Sequence, residues 1–171
     1  MPALREHIME ASKRYSNGFK HKGLASPPSN HFIFVTCMDA RIDTAQAFGI
    51  AVGEAHVIRN AGGSAADALR SIVISQQLLG TKEIAIIKHT KCGMDGLKNE
   101  VVHATILRNL GIEAIAEVKS RNMIDFVPIS GVAQGVIDDV EFLKASPLIH
   151  KDIEVTGWVY DVETGSTKRI I

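Results

Sequence analysis

Cysteine, net charge and long apolar runs are what this sequence has least of, and each shortage narrows the field. Only two cysteines occur in 171 residues. That is too few for a disulfide framework, so a reducing compartment is expected and a structural bridge is not. Nineteen basic residues balance nineteen acidic ones, for a formal charge of zero. A nucleic-acid or anionic-membrane footprint needs a basic excess or stripe, so neither partner is expected. No apolar run reaches the roughly 18 to 20 residues of a spanning helix. The opening MPALREHIMEASKRYSNGF is charged throughout, without the continuous apolar segment of a secretory leader. Glu6 and Glu10 also count against an acid-poor mitochondrial presequence. A cytoplasmic location is therefore expected, with mitochondrial import left open. Internal repeats and low-complexity segments are absent, and no G-x-G-x-x-G follows a strand, which removes the dinucleotide-binding fingerprint.

What is present is ordinary for a globular chain: 46% apolar and 22% charged residues. The length suits a single domain over 1–171, with an N-terminal helical arm (1–25) and a core (31–171). Leu4, Ile8, Ala11 and Tyr15 follow helical spacing and predict an amphipathic helix that docks its apolar face. GLASPPSN (23–30) is a connector, because Pro27 and Pro28 exclude helix. His31–Thr36 reads as a strand, and a short helix follows with Asp43 or Thr44 as N-cap and Gly49 near its end. HVIR (56–59) reads as a second strand, followed by a glycine loop at 60–63 and by Ser64 as the cap of the next helix. That helix presents Leu69, Ile72, Val73, Gln76 and Leu79 along one face and stops at Gly80. EIAIIK (83–88) is a near-continuous apolar run of the kind found in strands covered on both faces. A helix is expected between Asn99 and Leu110, a strand at Ala114–Val118, a helix from Val132 to before Pro147, and a C-terminal edge hairpin turning at Thr164-Gly165. Alternation of this kind predicts an α/β fold with a mostly parallel central sheet and flanking helices.

Ligands of such sheets bind beyond the carboxyl ends of the strands. Cys37 lies just past one strand end; His89 and Cys92 lie just past another. If the two strands are neighbours, two thiolates and one imidazole meet at one point. That donor set suits zinc, and three protein ligands leave a fourth position open, the catalytic arrangement. Asp39 stands two residues from Cys37, where its carboxylate reaches the fourth position and accepts a hydrogen bond from water. Arg41 can hold that carboxylate in a bidentate pair. Taken singly, the cysteines also fit buried inert thiols or a redox pair, and Asp39 and Arg41 a turn residue and a surface charge.

The motifs together resemble those of the β-class carbonic anhydrases. C-x-D-x-R stands at Cys37-Met38-Asp39-Ala40-Arg41 and H-x-x-C-G at His89-Thr90-Lys91-Cys92-Gly93. HVIRNAGG (56–63) and GWVYDVETG (157–165) are similar to that family too. The similarity runs from Phe32 to the end and looks most like its compact, archaeal-type branch. It implies that Cys37, His89 and Cys92 bind one zinc ion, that Asp39 and Arg41 form a gating dyad, and that Asp39 serves as fourth ligand in a blocked state. It implies reversible hydration of carbon dioxide to bicarbonate and a proton by zinc-bound hydroxide. It also implies a homodimer, or a tetramer of paired dimers, with the N-terminal helix packed on the partner subunit through Leu4, Ile8, Ala11 and Tyr15.

Ala61, Gly62, Gly63 and Gly93 are candidates for lining the substrate pocket, since glycine lets backbone approach a ligand closely. The family wording G-H-T-D-C-G-M is departed from at Lys88 and Lys91, which would add positive charge near the metal. His7, His21 and His103 are expected to be solvated, and His31, His56 and His150 to flank strands or turns. Trp158 and Tyr160 are expected to pack on the sheet. Two alternatives accompany carbon dioxide hydration: hydrolysis of carbonyl sulfide or carbon disulfide on the same scaffold, and a low-activity zinc- or bicarbonate-binding module.

Overall fold

The structure, a computed structural model, describes residues 3–171. In chain order the elements are α1 (Leu4–Asn17), β1 (Phe32–Cys37), α2 (Thr44–Phe48), β2 (Ala55–Asn60), a 3-10 turn (Ala61–Gly63) and α3 (Ala65–Leu79). Then follow β3 (Glu83–His89), α4 (Asn99–Leu110), α5 (Ile112–Ser120), α6 (Val132–Ala145), β4 (Glu154–Tyr160) and β5 (Thr167–Arg169). The strands form one sheet in the order β2-β1-β3-β4-β5. The first four are parallel, and β5 runs antiparallel to β4 as the expected edge hairpin.

The sheet's two faces divide the side chains by strand alternation. On one face Ile33, Val35, Ile84, Ile86 and Val155 meet Ala65, Ala68 and Ile72 of α3 and Val140 and Leu143 of α6. Each large side chain buried there contributes about 1.5–3 kcal/mol. Gly157 lets α6 approach β4, because a Cβ at that position would collide with Val136 Cγ1. The other face carries Phe34, Ala85, Ile87, Trp158 and Tyr160 with Phe48 of α2. It is left partly open as a groove of about 330 Å³. Trp158 and Tyr160 thus pack on the sheet as expected.

Local chemistry explains the boundaries. The Asp43 carboxylate accepts from the Ala45 and Gln46 N–H groups, which starts α2, and Gly49 ends it in the left-handed region at φ 64°. Ser64 caps α3 by accepting from Asp67 N–H. One expected element is wrong. Ala114–Val118 is not a strand but the middle of helix α5. The segment Ala-Ile-Ala-Glu-Val, with three apolar residues before Glu117, was too short to separate strand from helix by pattern. Ala114, Ala116, Glu113, Glu117 and Lys119 are all strong helix formers, and they decide the outcome. The N-terminal arm also stands apart: no residue of α1 is buried, and Leu4, Ile8 and Tyr15 remain more than half exposed.

Candidate metal centre

Pairing β1 directly with β3 brings Cys37 beside the segment that leaves His89. Cys37, His89 and Cys92 are all buried, and their ligand atoms lie within 4.8 Å of one another. The three residues singled out as ligands are therefore brought together. His89 Nδ1 is 2.9 Å from the Thr90 carbonyl. A proton on Nδ1 satisfies that bond and leaves the Nε2 lone pair facing the sulfurs. Nε2 is buried and has no hydrogen-bond partner in the protein. A buried imidazole nitrogen without a partner is costly, and a soft cation between two thiols and that nitrogen removes the cost. The donors fit zinc in type and number.

The neighbouring Cys92 thiol, with smaller contributions from the Asp39 backbone, His89 and the Gly62 backbone, holds Cys37 well below the usual thiol range against the effect of burial. The neighbouring Cys37 sulfur and burial push Cys92 up. A cation held here would take both cysteines as thiolates.

Beside the cluster, Asp39 Oδ2 lies 3.8 Å from His89 Nε2. Arg41 grips both carboxylate oxygens, Nε to Oδ1 at 2.9 Å and Nη2 to Oδ2 at 2.7 Å, and its own backbone N–H adds a third bond. These bonds hold the Asp39 carboxyl well below the ordinary carboxylate range. Arg41 is itself anchored by the Lys91 carbonyl at 3.1 Å. Lys91 takes a left-handed φ of 54° in the turn that offers this oxygen.

The four pocket candidates differ. Gly62 and Gly63 have φ of 71° and 61°, and a Cβ on Gly63 would come within 2.9 Å of the Thr36 backbone carbon. Ala61 begins the same 3-10 turn. Gly93 is exposed with nothing within 4 Å of where its Cβ would sit. Lys88 and Lys91 do not add free positive charge to the site. Lys88 Nζ pairs with Asp139 at 2.8 Å and Lys91 with Glu163. His103 is not solvated but half-buried against Phe126, and His56 lies within β2 with its Nδ1 on Ser75 Oγ.

Several supporting residues escaped the sequence reading. Arg59 donates to the carbonyls of Cys37, Asp39 and Ile42, so it clamps the turn that carries the Asp–Arg pair. A charged residue closing an otherwise apolar strand was the available signal. Thr90 Oγ1 accepts from Val162 N–H and donates to Asp161, tying the His89–Cys92 turn to the end of β4. Asp139 had one signal: a lysine in the apolar run EIAIIK calls for a buried counter-charge.

A parallel α/β sheet that brings a Cys-His-Cys cluster and an Asp–Arg pair to its carboxyl edge defines a candidate metalloenzyme. The family model described as carbonic anhydrase matches residues 32–167. Beta-carbonic anhydrase 1 of Mycobacterium tuberculosis is 37% identical over 157 residues, covering 91% of each chain. The carbonic anhydrase structure from Glaciozyma antarctica superposes with a TM-score of 0.92 at 41% identity, over 100% of both chains. The carbon disulfide hydrolase of an Acidianus species is 36% identical over 178 residues, covering 93% of this chain and 86% of its own. The chain belongs to the β-carbonic anhydrase family.

Proposed function

We propose that this protein interconverts carbon dioxide and bicarbonate, CO2 + H2O giving HCO3− + H+, at a zinc ion held by Cys37, His89 and Cys92. The observation that carries the reading is the partnerless buried Nε2 of His89 facing two sulfurs, with an ionised carboxylate 3.8 Å away. Zinc, when bound, supplies a Lewis acid that makes water a competent nucleophile near neutral pH. The chain's own residues do the rest. Asp39, kept ionised by Arg41, accepts a hydrogen bond from the nucleophile and turns a lone pair towards the substrate carbon. Arg41 keeps both Asp39 oxygens engaged, which holds that carboxylate away from the ligand set. Thr90 O fixes the His89 tautomer through Nδ1–H, a second layer of orientation typical of metal-binding histidines. Ala61, Gly62 and Gly63 form the wall beside Cys37.

The working unit in this reading is a homodimer. Helix α1 is unpartnered on its own chain and the sheet groove is open, so each subunit offers the other an apolar helix face and an apolar slot.

Metal content and carbon dioxide hydration from about pH 6 to about pH 9, a range straddling the activated water's pKa, test the proposal. A zinc-loaded protein whose rate climbs with pH supports it. One that hydrates carbon dioxide no faster than buffer overturns it. A second reading, hydrolysis of carbon disulfide, draws on the identity to the Acidianus hydrolase. Sulfide release from carbon disulfide by a preparation inactive on carbon dioxide would replace the first reading with the second.

A further inference from the structure

Lys88 precedes His89 on β3 and, by strand alternation, points to the opposite face, the one packed by α3 and α6. Its side chain is 4% exposed. Nζ donates to Gly62 O at 3.1 Å, Gly63 O at 3.3 Å and Asp139 Oδ2 at 2.8 Å. Three acceptors match the three donors of an ammonium group. Asp139, on α6, also accepts from the N–H of Ala65 at 3.0 Å, the first residue of α3. Gly135, one turn earlier on α6, leaves room for the lysine stem, since a Cβ there would come within 3.1 Å of Lys88 Cε.

The group so restrained is the Ala61–Gly63 turn, which is wedged from its other side. Gly63 lies against the backbone of Thr36 and Cys37, and Gly62 lies against Met94 and Ile129. One buried pair therefore ties the lysine beside one candidate ligand to the turn that packs against the backbone of another.

A buried ion pair is costly to desolvate and is weak evidence for stability alone; an apolar pair would fill the same volume. Its use here is geometric. We propose that Lys88 and Asp139 are positioning residues for the metal centre, fixing the Ala61–Gly63 turn against the Thr36–Cys37 backbone and so setting where the Cys37 sulfur stands. A ligating sulfur held in place by its surroundings keeps its overlap with the metal, and one that drifts loses it. The inference rests on the Cys-His-Cys reading above.

Cobalt in place of zinc supplies a readout other than activity, through the sulfur-to-cobalt charge-transfer band. In Lys88→Met the turn loses its tether and Cys37 shifts with it, so the band moves from its wild-type energy. Competition with a chelator should show the ion held about tenfold less tightly or worse. Asp139→Asn keeps an oxygen for the Ala65 N–H, loses the charge, and should shift the band in the same direction. The double variant Lys88→Met/Asp139→Leu restores an uncharged, packed interior and recovers thermal stability, but not the band; it also serves if Lys88→Met alone fails to fold. Leu143→Ala, in the core away from the cluster, lowers stability and leaves the band in place. Folded variants with the wild-type band and wild-type metal retention would overturn the inference. A wild-type protein that binds neither cobalt nor zinc would instead overturn the metal-centre reading on which it stands.

Discussion

Arg41 determines what Asp39 can do. With both oxygens engaged and its carboxyl held below the ordinary range, Asp39 stays ionised at every pH where hydration would be assayed. A carboxyl whose folded value is lowered adds stability that is present above its unfolded value of about 3.9 and is lost as pH falls towards the folded value. The unfolding free energies of wild type and Asp39→Asn should therefore differ by a constant amount above about pH 5 and converge below about pH 4. Denaturant titrations over that range check it, and a difference that persists unchanged in acid would contradict the pairing. Arg41→Ala removes the grip, frees the carboxylate to approach the ligand set, and should lower kcat/KM by about 10- to 100-fold with zinc still bound. Cys92→Ser should instead lose zinc on dialysis, which metal analysis reads directly; retention of the full metal content would remove Cys92 from the ligand set. At this scale the sequence was informative about ligands and poor about partners. Spacing and strand ends flagged Cys37, His89 and Cys92, because their chemistry is carried by residue type. Which acids neutralise Lys88 and Lys91 was not visible, because Asp139 and Glu163 lie far along the chain and only the fold brings them close.

The elements that place the site were legible wherever a terminal signal accompanied the pattern. Asp43, Ser64, Gly49 and Gly80 marked helix ends with side chains or backbone conformations that the structure uses at those points. Before Ala114–Val118 only Gly111 marks a boundary, and alanine and glutamate, which favour helix, were outweighed by the apolar Ala-Ile-Ala. The glycines near the cluster make an element-scale contrast that can be measured. Gly63→Ala places a Cβ against the end of β1 at a positive φ, and should cost about 1–3 kcal/mol in chemical denaturation while disturbing Cys37. Gly93→Ala, with open space around it, should stay within about 0.5 kcal/mol of wild type. Equal effects would mean that the 3-10 turn does not brace β1 as described.

At the scale of the whole molecule the question is what α1 packs on. A 14-residue helix is marginal in water by itself, and most helical stability in proteins comes from burying an amphipathic face. Helix α1 buries nothing on its own chain, yet Leu4, Ile8, Met9 and Tyr15 are its large apolar residues and all stand exposed. The sheet meanwhile leaves Phe32, Phe34, Phe48 and Trp158 around a groove of about 330 Å³. Two such subunits related by a two-fold axis can exchange helices, so that the same helix and groove are satisfied twice. Ile8→Asp combined with Tyr15→Asp should therefore convert a dimer to a monomer in sedimentation and reduce helical ellipticity, because the freed α1 unravels. Leu78→Asp, at an equally exposed apolar position on α3 (71% exposed), should alter neither. If the double aspartate variant sedimented as the wild type does, α1 would not be the dimer contact, and the open sheet face would need another occupant.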